Sequence, residues 1–436
     1  MQIDQPAAEI AMTEARAALE RDELASAEAI CLQLLQRQTD YAPARHLYAL
    51  LQYRTGKVVD AIAHMMRAIE LEPSRAAWLN DLGNMLSAHQ QPEQAVKFFQ
   101  HALMLEPENA VVWNNLGAMR VKLDQQELAG DAFEQAVALD ESLVDAWANY
   151  ANWLTSQGRE HDAAECVLRA FVAAPAEGQP LVMRGMALAR LDRASEAAEC
   201  FHQHLLEHPD DPTAHHLYHA CARDAVPARA SDDYIRAKYQ EYADHFDAHQ
   251  DELSSRSPEL ISQALRARGE RDLIALDAGC GTGRVGPAIQ PFCRTLIGVD
   301  LSGAMLKRAA ARAVYQSLET CEITRYLGAH PAEFDLITAA DLLTYFGALD
   351  HFCLQAFNAL RAGGHLLATL EALPQDSVSF ELQASGRYRH GEHYLTQSLS
   401  AVGFDWVDIE LQTLRTEGEQ VVSGWLLTAH KPVGWR

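Results

Sequence analysis

The sequence predicts an α-solenoid of stacked helix pairs followed by an α/β domain. Three observations lead there. A 34-residue period runs without insertion from residue 8 to residue 211. At Asp272 the pattern changes to strand, glycine-rich turn and helix. Beyond it, short apolar stretches of strand type recur as far as the C-terminus.

Length and composition fit this division. The 436 residues are ample for two domains, and a hydrophobic share of 48% leaves little room for extensive disorder. No run reaches the roughly 18 uninterrupted apolar residues of a membrane span, and MQIDQPAAEIAMTEA lacks the basic start and apolar centre of a secretory signal. The eight cysteines are scattered with no CxxC pair, which argues against a zinc site or a disulfide framework and favours a reducing, cytoplasmic setting. Net charge is −24, with 33 acidic and 18 basic residues up to Arg229 and 27 against 18 beyond it. Both halves repel a nucleic-acid backbone, and no Lys/Arg cluster offsets this. Neither nucleic acid nor membrane is an expected partner, whereas a basic protein is compatible with the charge.

Frames starting at residues 8, 42, 76, 110, 144 and 178 define the repeat. Position 20 is always alanine: Ala27, Ala61, Ala95, Ala129, Ala163 and Ala197. Position 8 is small throughout, and position 24 is bulkier, as in Met65, Phe99, Phe133 and Phe201. Small residues let two antiparallel helices approach, and the large residue is expected to fill the space between neighbouring pairs. Proline at position 32 in four frames, lacking an amide hydrogen, is expected to stop the second helix. One unit cannot bury its own apolar face, so the units stack. PTAHHLYHACARDA after the sixth frame reads as a capping helix.

These frames, for example AVVWNNLGAMRVKLDQQELAGDAFEQAVALD, resemble tetratricopeptide repeats. The resemblance implies a superhelix whose concave face holds a protein or peptide, with an assembly surface as the alternative. The expected boundaries are 1–225 for the solenoid (six repeats plus the cap), 226–254 for a linker and leading helix, and 255–436 for the α/β domain. In the linker region Tyr234, Tyr239, Tyr242 and Phe246 lie broadly on one helical face.

In LIALDAGCGTGRVG a short strand ends at Asp277 and is followed by Gly279, Gly281 and Gly283; TLIGVD then ends a second strand at Asp300. Glycines let the backbone approach a ligand and accept positive φ. An acid ahead of a GxGxG loop suits a ligand with a cationic end and sits poorly beside a pyrophosphate. Asp300 is placed to accept hydrogen bonds from ribose hydroxyls.

DxGxGxG together with VDLSxxML resembles class I S-adenosylmethionine-dependent methyltransferases. The order of repeat array, YxxYAxxFD and this domain is similar to a bacterial group of tetratricopeptide-containing methyltransferases. The resemblance implies a Rossmann-like domain with a mostly parallel seven-stranded sheet, which VGFDWVDIELQTLR and VVSGWLLTAHKP would close as an antiparallel pair. It implies S-adenosylmethionine as cofactor, with S-adenosylhomocysteine as product, and no metal. Asp277, Ala278 and the Gly279–Gly281 backbone would hold the methionine end. Asp300 would take the ribose, Leu301 and Met305 would line the adenine pocket, and Glu322 would approach the adenine amine. Ala340 and Tyr242 complete the expected cofactor contacts.

Methyl transfer requires a placed nucleophile, exclusion of water and, for a protonated acceptor, a base. The expected catalytic residues are Tyr345 after the fourth strand and Arg387 and His390 in SGRYRHGEHYL. Asp341, Glu371, Tyr239 and His393 are further candidates. The sequence reads as a methyltransferase acting on a protein or peptide recruited by the repeats. The alternatives are a small-molecule methyltransferase that uses its repeats for docking, and a cofactor-binding scaffold without turnover.

Overall fold

The structure, a computed structural model, describes residues 5–373, 378–418 and 420–434. The chain forms two compact units, Met1–Glu177 and Gly178–Arg436.

The first unit is five antiparallel helix pairs: α1 (Gln5–Glu20) with α2 (Leu24–Arg37), α3 (Ala42–Arg54) with α4 (Val58–Leu71), α5 (Ala76–Ala88) with α6 (Pro92–Leu105), α7 (Ala110–Lys122) with α8 (Gln126–Leu139), and α9 (Val144–Ser156) with α10 (Glu160–Ala173). Their alanines at position 20 are all buried. Position 24 differs from expectation, because its large side chain packs within its own pair. A Cβ added to Gly83 would lie 2.4 Å from the Phe99 ring, and one added to Gly117 would lie 2.7 Å from Phe133. The small residue at position 8 is therefore the socket for the ring at position 24. Val167 is an exception, 56% exposed, with Cys166 buried in its place.

The prolines do not set the helix ends. Helices α2 and α8 stop at the same register as the others although Thr39 and Glu141 replace proline. In each, the next amide turns back onto the helix, from Gln38 to the Leu34 carbonyl and from Asp140 to that of Ala136. Proline reinforces a stop that packing already fixes.

The second unit begins with the sixth pair, α11 (Leu181–Arg190) and α12 (Ala194–Glu207), and with α13 (Pro212–Ala222). Asp211 caps α13, its side chain accepting from the Thr213 and Ala214 amides. Two helices follow, α14 (Asp232–Tyr242) and α15 (Phe246–Glu252), so the aromatic stripe is broken between Tyr242 and Phe246. The intervening linker is stitched to the α/β domain. The Ala230 amide donates to the Tyr345 carbonyl, the Gly347 amide to that of Ala228, and the Tyr388 hydroxyl to that of Pro227.

The α/β domain runs α16 (Ser257–Arg268), β1 (Leu273–Ala278), α17 (Gly286–Ile289), β2 (Cys293–Asp300), α18 (Gly303–Ala311), β3 (Ser317–Thr320), α19 (Ile323–Ala329), β4 (Phe334–Ala340), α20 (Asp350–Ala359), β5 (Leu360–Glu371), β6 (Phe380–Leu382), β7 (Tyr388–His390), α21 (Glu392–Val402), β8 (Trp406–Glu417) and β9 (Gln420–His430). Seven strands form one sheet in the order β3-β2-β1-β4-β5-β9-β8. Neighbours from β3 to β5 are parallel, whereas β9 is antiparallel to both β5 and β8. β1 and β4 are almost wholly buried, as central strands covered on both faces must be. β6 and β7 make a separate hairpin.

Candidate functional site

The chain order reverses where β1 lies between β2 and β4. Crossovers leave this point in opposite directions, so a crevice opens at the C-terminal ends of the strands, where open α/β sheets bind ligands. Here a cleft is lined by residues of the loops after β1, β2 and β4, by the start of α19 and by the 229–246 segment.

The glycine loop forms its floor. Gly279 (φ +66°) and Gly281 (φ +54°) hold left-handed conformations. A Cβ on Gly279 would sit 2.6 Å from Leu342, while one on Gly281 would point into open space. The Cys280 amide is fixed to the Val299 carbonyl at 3.0 Å. Asp300 binds the loop from the end of β2, its two oxygens accepting from the Gly281 amide at 3.0 Å and the Ser302 amide at 2.8 Å. Burial raises the Asp300 pKa, and these backbone bonds act against that rise. A carboxylate has about four acceptor positions, so Asp300 keeps capacity for a ligand diol.

The charged lining consists of Asp300, Glu322 and Asp341 against Arg229. Three carboxylates against one guanidinium fit a cationic ligand and oppose a pyrophosphate. Apolar walls come from Ile235, Phe246, Leu301, Met305 and Phe346. Glycine cradle, diol acceptor, apolar walls and acidic lining together suit the adenosine and sulfonium portions of S-adenosylmethionine. Among the described residues no cluster of three or more metal-ligating side chains occurs.

Ten of the residues expected from sequence line the cleft: Tyr239, Gly279, Gly281, Asp300, Leu301, Met305, Glu322, Ala340, Asp341 and Tyr345. Glu322 also caps α19, accepting from the Thr324 and Arg325 amides. Asp277 and Ala278 lie behind the loop, fully buried. Asp277 accepts from the Tyr315 hydroxyl at 2.7 Å and that of Thr338 at 3.1 Å, and burial pushes its pKa up to about 6 against the pull of both bonds. Tyr242 stands outside the lining, edge-on to Phe246.

His390 is not brought to the cleft. It has no exposed surface, and its Nε2–H donates to the Gly347 carbonyl at 3.1 Å. Burial lowers its pKa to about 4, so it is neutral near neutrality.

Arg387 does not line the cleft but acts electrostatically on Tyr345, which does. The Arg387 Nε lies 2.6 Å from Glu371 at the end of β5, which Arg389 and Arg415 also contact. Burial works to raise the Glu371 pKa, yet the three guanidiniums bring it down to about 2. Tyr345 hydrogen-bonds Tyr239 through their hydroxyls, and both line the cleft. Burial opposes ionisation of Tyr345, but Lys238, Arg387 and the Tyr239 hydrogen bond outweigh it and lower its pKa. Asp341 completes this end with a left-handed φ of +55°, its carboxylate accepting from Ser257 and Thr369.

Several participants were missed from sequence. Asp247 of α15 accepts from Thr282 of the glycine loop at 2.5 Å and from Arg312 at 2.6 Å, while Arg312 also donates to the Thr282 carbonyl. This strap over the loop joins residues 35 and 65 positions apart, and no local pattern announces it.

Residues 276–366 match the family described as "Methyltransferase domain". The chain carries a methyltransferase domain. An array of tetratricopeptide-like helix pairs precedes it. None of the curated proteins matches the chain. Among solved structures it is similar to PilF of Pseudomonas aeruginosa (19% identity, 48% of this chain and 96% of that one, TM-score 0.37). It is also similar to MamA of Desulfovibrio magneticus (15%, 39% and 97%, TM-score 0.37). A further likeness is to the phosphoethanolamine N-methyltransferase 2 of Haemonchus contortus (17%, 39% and 52%, TM-score 0.33). Among the described residues no helix of the methyltransferase domain or the array is long and apolar enough to cross a membrane.

Proposed function

We propose that the chain is an S-adenosylmethionine-dependent methyltransferase that modifies a protein or peptide recruited by its helix-pair array. The observation that carries the cofactor reading is the switch-point cleft, in which Asp300 is pinned to a positive-φ glycine loop amid an acidic lining. The acceptor reading is supported by the fusion of a helix-pair scaffold, a fold suited to holding chain segments, to that domain.

The bound cofactor supplies a methyl group on a sulfonium centre. Asp300 and the glycine-loop backbone hold and orient the ligand, with Leu301 and Met305 against its base. Ile235, Phe246 and Phe346 keep water from the reacting end. Tyr345, as the phenolate that Lys238, Arg387 and the Tyr239 hydroxyl favour, accepts the proton of a protonated acceptor on Oη and becomes the neutral phenol. Arg387 acts as a positioning residue, held by Glu371.

The test uses the full chain. Calorimetry with S-adenosylhomocysteine and with NADH should give binding of the first alone. Incubation with methyl-labelled cofactor and a lysate should then place label in a protein band. Label confined to the small-molecule fraction supports the alternative of a metabolite acceptor. Absence of S-adenosylhomocysteine binding refutes the cofactor reading.

A further inference from the structure

Beyond Tyr345 the surroundings change sign. Lys238 of α14 places its ammonium 5.3 Å from the centre of the Tyr345 ring and 5.6 Å from that of Tyr234. Its Nζ donates to the Tyr234 hydroxyl at 3.4 Å, and among the described residues it meets no carboxylate. Helical geometry places Tyr234 one turn before Lys238, so the ammonium is directed inward along the face that carries the tyrosine. The second cation is Arg387, deep in the protein yet with 21% of its side-chain surface open.

Glu371 does not cancel this charge. It is one carboxylate shared by Arg387, Arg389 and Arg415, and among the described residues only Arg415 of those three is ion-paired to a second acid, Glu417. Asp341 also acts on Arg387, but its carboxylate is already engaged by Ser257 and Thr369. The acceptor end thus keeps an excess of positive charge in a chain of net charge −24. A half-buried cation without a carboxylate partner, as Lys238 is among the described residues, is costly, and an anion seated beside it relieves that cost.

Resting on the methyltransferase reading, we propose that the acceptor carries an anionic oxygen group, a carboxylate or a phosphate, which is bound between Lys238 and Arg387 beside the Tyr239–Tyr345 pair. The carboxylates of the cofactor cleft would hold the cationic ligand while this pocket selects an acidic partner. The opposite signs at the two ends fix the direction in which the substrate lies.

The experiment reads the pocket through its own tyrosine. Tyrosinate absorbance of the full chain, saturated with S-adenosylhomocysteine, is titrated with base at constant ionic strength, with and without sodium acetate or inorganic phosphate. One tyrosine should ionise earlier than the rest, and that step should be missing in Tyr345→Phe. Acetate or phosphate should move this step to higher pH in a saturable way, and the more effective anion identifies a carboxylate or a phosphate. In Lys238→Gln, whose folding is checked by undiminished S-adenosylhomocysteine binding, the anion concentration needed should rise at least tenfold. Lys57→Gln, on a repeat helix pair, should match the unaltered chain. The proposal is overturned if no early step exists, if neither anion shifts it saturably, or if Lys238→Gln responds like the unaltered chain. A chain that fails to bind S-adenosylhomocysteine yet shows the Lys238-dependent shift refutes the methyltransferase reading and leaves the anion pocket standing.

Discussion

His390 gives a prediction whose size follows from its surroundings. The imidazole has no exposed surface, its Nε2–H is spent on the Gly347 carbonyl, and Nδ1 has no partner among the described residues. Burial holds the folded pKa near 4 against an ordinary 6.5. Below pH 6.5 the unfolded chain takes up a proton that the folded chain refuses. Stability from this site is therefore whole above that pH and is lost as pH falls through the window down to about 4. The difference is worth about 3 kcal/mol in full, of which about 2.5 kcal/mol is gone by roughly pH 4.5. Asp277 works in the opposite sense. Its folded pKa is raised to about 6, so its contribution grows as pH falls from there toward 3.8. His365, also brought to about 4 by burial, adds to the loss. The absolute slope of the unaltered chain is thus composite, and the comparison with His390→Phe isolates one site. At about pH 7.5 the variant should be less stable by about 1–3 kcal/mol, because the Gly347 carbonyl loses its donor. At about pH 4.5 that gap should close or reverse. Urea unfolding is followed by tryptophan fluorescence, to which Trp425 contributes from the same locus, since its indole donates to the His390 carbonyl. A difference between the two proteins that stays constant across this range refutes the argument and returns His390 to the catalytic candidates.

Three other outcomes can be checked directly. Asp300→Asn removes a charged acceptor from the Gly281 and Ser302 amides, and calorimetry should show S-adenosylhomocysteine bound at least tenfold more weakly, consistent with about 1.5–3 kcal/mol for a charged hydrogen bond. Gly83→Ala drives a Cβ to 2.4 Å from the Phe99 ring; thermal unfolding should register a loss of about 1–3 kcal/mol from overpacking, recovered in part by adding Phe99→Leu. Arg312→Met cuts the strap to Asp247 and the Thr282 carbonyl, so cofactor affinity should fall and become less sensitive to salt than in the unaltered chain.

The parts of this molecule that were readable in the sequence are those whose physics is local or periodic. The alanines at position 20 are invariant in register because two helix backbones meet there, and LIALDA and TLIGVD announce themselves as strands with an acid at or next to their C-terminal end. Asp300 and the loop glycines follow from the same local reasoning, since a tight turn beside a strand end has few chemical solutions. What stayed hidden depends on contacts across long separations. Nothing near Glu371 signals that Arg387, Arg389 and Arg415 converge on it, and nothing near Lys238 signals that it faces Tyr345. His390 misled for a related reason: a histidine beside two arginines looks functional until the hairpin that buries it is known. The proline at position 32 misled differently, because the helix stop it marks is already set by packing.

One feature of α13 bears on how this chain can be divided. His216 donates from Nε2 to the Gly386 carbonyl at 2.9 Å and stacks at 4.1 Å on Tyr234, whose hydroxyl would lie 2.7 Å from a Cβ at Gly386 and leaves no room for a side chain there. The next residue is Arg387. A helix in continuation of the repeats is thus the back wall for the turn that presents an acceptor-side cation, and for the start of the helix that carries Lys238. A fragment opened after Ala225 would lose that wall and expose Tyr234, whereas one opened at Gly178 retains it. The same holds for grafting: an array exchanged between relatives of this chain should change donor before Leu181, so that residues 212–222 travel with the domain they support.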